Sequence, residues 1–212
     1  ETADMRYQEE FGHPIANHGI TLVPGDCVYV DLNADGKINS NDATRDIGYT
    51  DMPEYTAGLN TGFSWKNFDF SMQWTGAWNV DRMLDEFRRP LGDANEKGLL
   101  LYQYDTTWRS SADTFTAKFP RTSSLHASNN YAGSDLYLIN ASYLRLKSVE
   151  IGYNFNFPFM KKLKMDNCRL YVNGYNLITI TGFKWGDPES RQSSRPNYPL
   201  TRVFNIGLKL GF

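Results

Sequence analysis

Five stretches of this chain alternate apolar and polar side chains residue by residue, and that period of two is the signature of β-strands with one greasy and one polar side. In 54–66, Tyr55, Leu59, Phe63 and Trp65 share one parity, while Thr56, Gly58, Asn60, Gly62 and Ser64 fill the other. In 68–80, Phe68, Phe70, Met72, Trp74 and Trp78 stand against Asp69, Ser71, Gln73 and Thr75, with Lys66-Asn67 as a two-residue turn between the two runs. The third run, 142–157, sets Val149, Ile151, Tyr153 and Phe155 against Glu150, Gly152, Asn154 and Asn156. Leu144 and Leu146 have the opposite parity, which predicts a β-bulge near Lys147-Ser148. Runs 168–181 and 201–212 complete the set; in the last, Phe204, Ile206, Leu208, Leu210 and Phe212 face one way and Asn205, Gly207, Lys209 and Gly211 the other. The first two runs, the strands of a hairpin, are each about as long as the 9–11 residues that cross a bilayer in a barrel. The fold class is all-β and antiparallel.

The connections sort by length. They are short at 66–67, very long at 81–140, short at 158–167 and long at 182–200. Transmembrane barrels have short periplasmic turns and long external loops, whereas a water-soluble β-sandwich has no reason to sort its loops this way. Mean hydropathy is -0.53, and no segment reaches the ~20 apolar residues of a membrane-spanning helix. A barrel escapes that test because its strands average to ordinary hydropathy. Aromatic residues make up 15% of the chain and favour both strands and membrane–water interfaces. With 22 basic against 24 acidic residues the surface is balanced, which argues against nucleic-acid binding. The N-terminal stretch is loop with a short helix expected near 5–11. The chain opens Glu1-Thr2-Ala3-Asp4 without a start Met or signal, so we expect a processed chain or an internal piece. Cys27 and Cys168 are too few for a disulfide framework or a zinc site.

One local motif carries metal chemistry. Segment 31–42 places Asp31, Asn33, Asp35, Asn39 and Asp42 at positions 1, 3, 5, 9 and 12 of a calcium loop, with Gly36 at the turn and the Lys37 carbonyl at position 7. A hard cation wants several oxygens converging from a tight loop, and this spacing offers them; the bland alternative is an Asx-rich surface turn. A dockerin has the same motif, but it needs two copies, each followed by a helix; only one copy occurs here, followed by Gly48 and Pro53. No nucleophile elbow, phosphate loop or HExxH is found, and His13, His18 and His126 lack ligand spacing, so no enzyme is expected. Strand aromatics suit headgroup belts. In the loops, Trp108, Tyr131, Trp185 and Tyr198 are candidates to face a ligand or partner, against simple loop packing.

Several pieces, in order, resemble one family. They are Pro24-Gly25-Asp26, the 31–42 loop, Ile47-Gly48, Gly58-Leu59-Asn60, Phe68-Asp69-Phe70 and Phe119-Pro120-Arg121. Further on come Ser142-Tyr143-Leu144-Arg145-Leu146-Lys147, Gly152-Tyr153, Gly174-Tyr175-Asn176-Leu177, Gly186-Asp187-Pro188-Glu189, Tyr198-Pro199 and the terminal strand. Together they resemble the C-terminal portion of a SusC/RagA-type TonB-dependent outer-membrane transporter. The resemblance implies the last strands of a barrel of about 22 strands with a plugged lumen, set in the bacterial outer membrane. It further implies an importer of glycans or oligopeptides, a SusD-like surface lipoprotein as partner, and dependence on the TonB system through a portion not in this chain.

Segment 1–53 is accordingly expected as an external loop region with calcium as a structural cofactor, and 54–212 as barrel strands with external loops 81–140 and 182–200. If Phe212 ends at the periplasm, turns 66–67 and 158–167 lie there too, and Cys27 and Cys168 fall on opposite rims, unable to form a disulfide. Five or six strands cannot close a barrel, and an open edge in hydrocarbon leaves backbone donors unpaired. The strands are therefore expected to pair with others from the rest of the transporter and to touch lipid or lipopolysaccharide. The alternative is a soluble, calcium-stabilised, carbohydrate-binding β-sandwich module. The discriminator is whether Phe204, Ile206, Leu208 and Leu210 lie buried against a second sheet.

Overall fold

The alternating runs form one antiparallel sheet. In the computed structural model, which describes residues 3–85, 88, 101–113, 116–123, 125–158, 162, 164–190 and 200–212, β1 (Tyr55–Trp65) and β2 (Phe68–Trp78) pair along their whole length. Trp65 sits opposite Phe68, so Lys66-Asn67 closes a two-residue hairpin, and Lys66 takes the positive φ (54°) that such turns demand. Two short strands, β3 (Asp81–Met83) and β4 (Leu138–Asn140), pair as a ribbon. The long strands β5 (Tyr143–Phe155), β6 (Asn167–Thr181) and β7 (Val203–Gly211) complete the main sheet in the order β1-β2-β5-β6-β7.

The expected bulge is present. Against β2, Gln73 pairs with Ser148 and Trp74 with Leu146, leaving Lys147 as the extra residue. Against β6 the register passes from Ser148↔Tyr175 to Leu146↔Ile178, and Asn176 there has φ 53°. The shift returns Leu144 and Leu146 to the face that carries Val149 and Ile151.

The chain divides into two compact units that interleave in sequence. Tyr49–Arg82 with Ile139–Phe212 holds the five-stranded sheet. Glu1–Gly48 with Met83–Leu138 is a loop unit, containing the expected N-terminal helix α1 (Ala3–Phe11) and the short helices α2 (Leu101–Thr106) and α3 (Ala127–Asn130). Segment 81–140, expected as either a functional loop with small elements of its own or a linker, carries such elements, and Met83–Leu138 joins the N-terminal segment in one unit.

With little regular structure, the loop unit is held by a buried polar latch. The Asp26 side chain is 1% exposed. Its carboxylate accepts from Arg121 Nε at 2.7 Å, His126 Nδ1 at 2.6 Å, Asn130 Nδ2 at 2.9 Å and the Val23 amide at 3.0 Å. Asn130, fully buried, accepts the Cys27 amide at Oδ1 (3.0 Å), while its carbonyl takes the Tyr137 hydroxyl at 2.7 Å. Phe119 stacks on Tyr137 with centroids 6.0 Å apart. A buried carboxylate persists only when each of its lone pairs finds a donor, and this one does. Both thiols, Cys27 and Cys168, are free; burial pushes the Cys27 thiol up to about 11.

The latch gives the loop unit an acid limit. Burial raises the Asp26 pKa, but the donors Asn130, Val23, Arg121 and His126 outweigh it and hold the group at about 2. Its stabilisation is complete above the ordinary carboxylate range and is lost as pH falls from about 4 toward 2, a contribution of about 2 kcal/mol. Hydrogen exchange of the Cys27 amide should lose protection across that window, and Asp26→Asn should be less protected at neutral pH and flat below pH 4. An unchanged acid profile in Asp26→Asn would show that the latch does not set this limit.

Candidate functional site

The register assigns the two faces of the sheet. Phe63, Phe70, Ile151, Val172 and Ile206 form one row across all five strands, and Trp65, Phe68, Tyr153, Leu170 and Leu208 the next. These rows are uncovered: Ile206 is 78% exposed, Phe63 62% and Leu208 59%.

The opposite face is polar and wired across strands. Arg169 on β6 reaches over β5 to Asp69 on β2, with Nε donating to both carboxylate oxygens at 2.9 and 3.0 Å. Its Nη2 donates to Asp69 again and to Glu150 Oε1 at 2.7 Å. Asn173 Nδ2 continues the ladder to Glu150 (3.2 Å), and Asn205 Nδ2 to Asn173 (2.9 Å), so four strands are linked. Planar, bidentate pairing suits guanidinium and carboxylate. The reach is possible because Gly152 lies between them with no side chain; a Cβ there would overlap both charged groups. Gly207 likewise makes room for the Tyr171 ring.

At the end of the sheet opposite the Lys66-Asn67 turn, a second ionic cluster ties the Gly186-Asp187-Pro188-Glu189 motif to β5. Arg145, 2% exposed, donates to Asp187 Oδ1 (2.5 Å), Glu189 Oε2 (2.8 Å) and Thr179 Oγ1 (3.1 Å). Lys147 Nζ adds a contact to Glu189 at 3.4 Å, and Arg82 Nη2 donates to the Pro188 carbonyl at 3.3 Å. A buried arginine left without its carboxylates would be costly, so this loop base is firmly anchored.

In the 31–42 loop the side-chain oxygens turn inward onto the loop's own amides. Asp31 accepts from the Asp35 and Gly36 amides (3.2 and 2.7 Å), Asn33 from the Asp35 amide (3.0 Å) and Asp35 from the Lys37 amide (2.9 Å). Asp42 accepts from the Leu32 and Asn39 amides (3.1 and 2.8 Å), and Asn39 from the Asn41 amide (2.8 Å). The hydrogen bonds to Asp35, from the Lys37 amide and Asn33 first, lower its pKa. Among the described residues no three Asp, Glu, His or Cys side chains gather as a metal centre. Calcium takes six to eight oxygens, so it would have to share carboxylates that already serve the backbone.

The aromatic loop candidates are distributed. In the loop unit, Trp108 is half-buried with its ring against Gly25, whose φ of 91° and bare Cα both matter, since a side chain there would strike the indole. Tyr131 is half-buried, its hydroxyl pKa raised by burial, and its carbonyl accepts from Arg88 Nε at 3.3 Å. Trp185 is half-buried in the sheet unit, and Tyr198 lies outside the described residues. Sequence reasoning missed the Arg169 ladder and the Asp26 latch as contacts. It had nevertheless marked Pro24-Gly25-Asp26 and Phe119-Pro120-Arg121, which meet in the Asp26 latch, and the 142–147 motif and Gly186-Asp187-Pro188-Glu189, which meet in the Arg145 cluster.

Substitution of Gly152 by Ala tests the ladder. It should displace Arg169 from Asp69 and cost about 1–3 kcal/mol in urea unfolding of the intact protein. Gly182→Ala, where a Cβ would meet open space, serves as the control and should be near neutral.

No family model matches the chain. The TonB-dependent receptor P3 of Formosa agariphila is 29% identical over 206 residues, covering 89% of this chain and 19% of that protein. The TonB-dependent receptor SusC of Bacteroides thetaiotaomicron is 28% identical over 206 residues, covering 96% and 18%. The chain thus spans about a fifth of the length of the curated relatives it matches. Among solved structures, the RagAB peptide importer in its open-open state superposes with a TM-score of 0.61 at 20% identity, over 87% of this chain and 20% of that one. The closed-closed state gives 0.61 at 23% identity over 87% and 21%. The fold is therefore that of a segment of the RagAB structures, and over most of its length the chain is a homologue of TonB-dependent receptors, SusC among them.

Proposed function

We propose that this chain supplies wall strands and external loops of a TonB-dependent importer in the bacterial outer membrane. The observation that carries this is the uncovered apolar face. In a sandwich, Phe204, Ile206, Leu208 and Leu210 would be buried against a second sheet; here they are 71, 78, 59 and 44% exposed. Each such side chain gains roughly 1.5–3 kcal/mol on leaving water, so a face of this size demands an apolar neighbour. Hydrocarbon fits, because the strands are 9–15 residues long and the aromatic Trp65, Phe68 and Tyr153 stand at one end of the band, Tyr55 and Trp78 at the other.

The rest of the proposal follows from this placement and the relatives. Strands β1 and β7 end the sheet, and in a bilayer their outer edges pair with strands of the remaining barrel, which closes at about 22 strands. The polar ladder then lines the plugged lumen, and the loops at the opposite end from Lys66-Asn67 face outward. There they meet a SusD-like lipoprotein and the cargo, a glycan or an oligopeptide. SusC and RagAB support that division of labour at the level of kinship only. Energy comes from the TonB system. The 31–42 loop, by its oxygen spacing, stiffens the outer rim around calcium.

Two measurements check this. In the complete receptor, Ile206→Lys should lower outer-membrane yield and stability by about 2–4 kcal/mol near the bilayer midplane, whereas Asn205→Lys, one residue along on the polar face, should be tolerated. Equal tolerance of both would refute the wall assignment. For the loop, calorimetric titration with calcium should give heat that EGTA abolishes and that Asp31→Asn removes. A silent titration would return 31–42 to the status of a self-closed turn.

A further inference from the structure

At the end of the sheet where Lys66-Asn67 turns, exposed rings and lysines stand together. Phe68, Tyr153, Phe155 and Phe157 form a chain of aromatic contacts with centroids 4.6, 4.8 and 5.2 Å apart. Trp65, opposite Phe68, is 62% exposed, and Phe212, just past the end of β7, is 81% exposed. The Lys66 ammonium lies 4.7 Å from the centre of the Trp65 ring, so this lysine leans toward the apolar face rather than toward the Arg169 ladder. Lys162 and Lys164, both exposed, belong to the connection from β5 to β6, which leaves the sheet at the same end. Among the described residues of the two connections, these three lysines face a single acid, Asp166, while Asp69 and Glu150 are already matched to Arg169.

The other end has no such bias. Among the described residues of 49–54, 79–82, 139–142, 182–190 and 200–202, Asp187 and Glu189 are matched to Arg145, and the remaining Asp51, Glu54 and Asp81 balance Arg82, Lys184 and Arg202. The apolar band is therefore flanked by a basic aromatic rim at one end and a charge-balanced one at the other. Ordinary solvation of surface lysines accounts for neither the bias nor the stacking of Lys66 on an exposed indole beside the greasy face.

We infer that the basic rim seats the phosphate groups of anionic phospholipid, with Lys66, Lys162 and Lys164 supplying ammonium donors and Trp65 an amphipathic ring at headgroup depth. The inference rests on the wall assignment above and adds to it which leaflet chemistry this end selects. The forces are those of a polybasic segment at a charged surface, on the order of fivefold in affinity for each lysine near the surface at low salt, screened as salt rises.

The test uses the complete receptor in bilayers of phosphatidylcholine with phosphatidylglycerol, one of the two lipids brominated in turn. Quenching by bromine is read from the Trp65-dependent fluorescence, taken as the difference from Trp65→Phe. Brominated phosphatidylglycerol should quench about fivefold or more in excess of its share of the lipid, and the excess should fall toward nothing in half-molar salt. It should also vanish in the triple variant K66Q/K162Q/K164Q while quenching by brominated phosphatidylcholine persists, which also certifies that the variant is inserted; should it not insert, K66Q alone with the salt series decides. Equal quenching by the two lipids in the unaltered protein, or an excess that survives the lysine substitutions, overturns the inference and leaves the wall assignment standing. No Trp65-dependent quenching by either lipid overturns the wall assignment itself.

Discussion

Backbone amides in hydrocarbon have no water to turn to, and on the proposed wall assignment that single constraint orders most of what this sheet does. It forces the apolar runs into strands whose donors and acceptors meet their neighbours, and it makes a sheet with two free edges an incomplete object. Side-chain alternation then settles which surface is greasy. Because the period is two, one slipped residue would exchange the faces of an entire strand, so register is held at every available point: the tight Lys66-Asn67 hairpin, the bulge at Lys147 and the ladder anchored on Arg169.

Polar chemistry takes over where hydrophobic burial is scarce. The loop unit leans on Asp26, whose side-chain donors come from residues about 100 positions away in sequence, and the base of the 186–190 segment leans on Arg145. Both are buried ions with partners on several sides, a design that fixes geometry more than it adds stability. Trp108 against Gly25 and Arg169 across Gly152 show the same device on a smaller scale, a bare Cα opening a path for a large side chain.

Much of the sheet was legible in advance because its signal is local. Parity placed the five long strands and even the bulge, since Leu144 and Leu146 broke step with Val149 and Ile151. The contents of 81–140 were not legible, because short helices and a three-residue ribbon leave almost no periodic trace. Nor could Arg169 be matched to Asp69, or His126 to Asp26: one sequence carries no record of which distant charges meet. The loop aromatics were picked by type alone, and type says nothing of the approach of the Trp108 ring to Gly25. The spacing at 31–42 was read as a calcium loop, with an Asx-rich turn as the bland alternative, and spacing cannot distinguish oxygens aimed at a cation from oxygens already bonded to amides.

The bulge has a further consequence for how this region tolerates change. Were β5 a regular strand through Lys147, Arg145 and Lys147 would project from the greasy side, and the buried Arg145 would lose Asp187 and Glu189. The extra residue instead works like a vernier: it lets the outer third of the strand keep its own phase, with Arg145 turned to its carboxylates. Loss of Lys147 would leave both halves in step, whereas a residue gained or lost elsewhere in β5 would not. Length variation among kindred walls should therefore collect at this one notch.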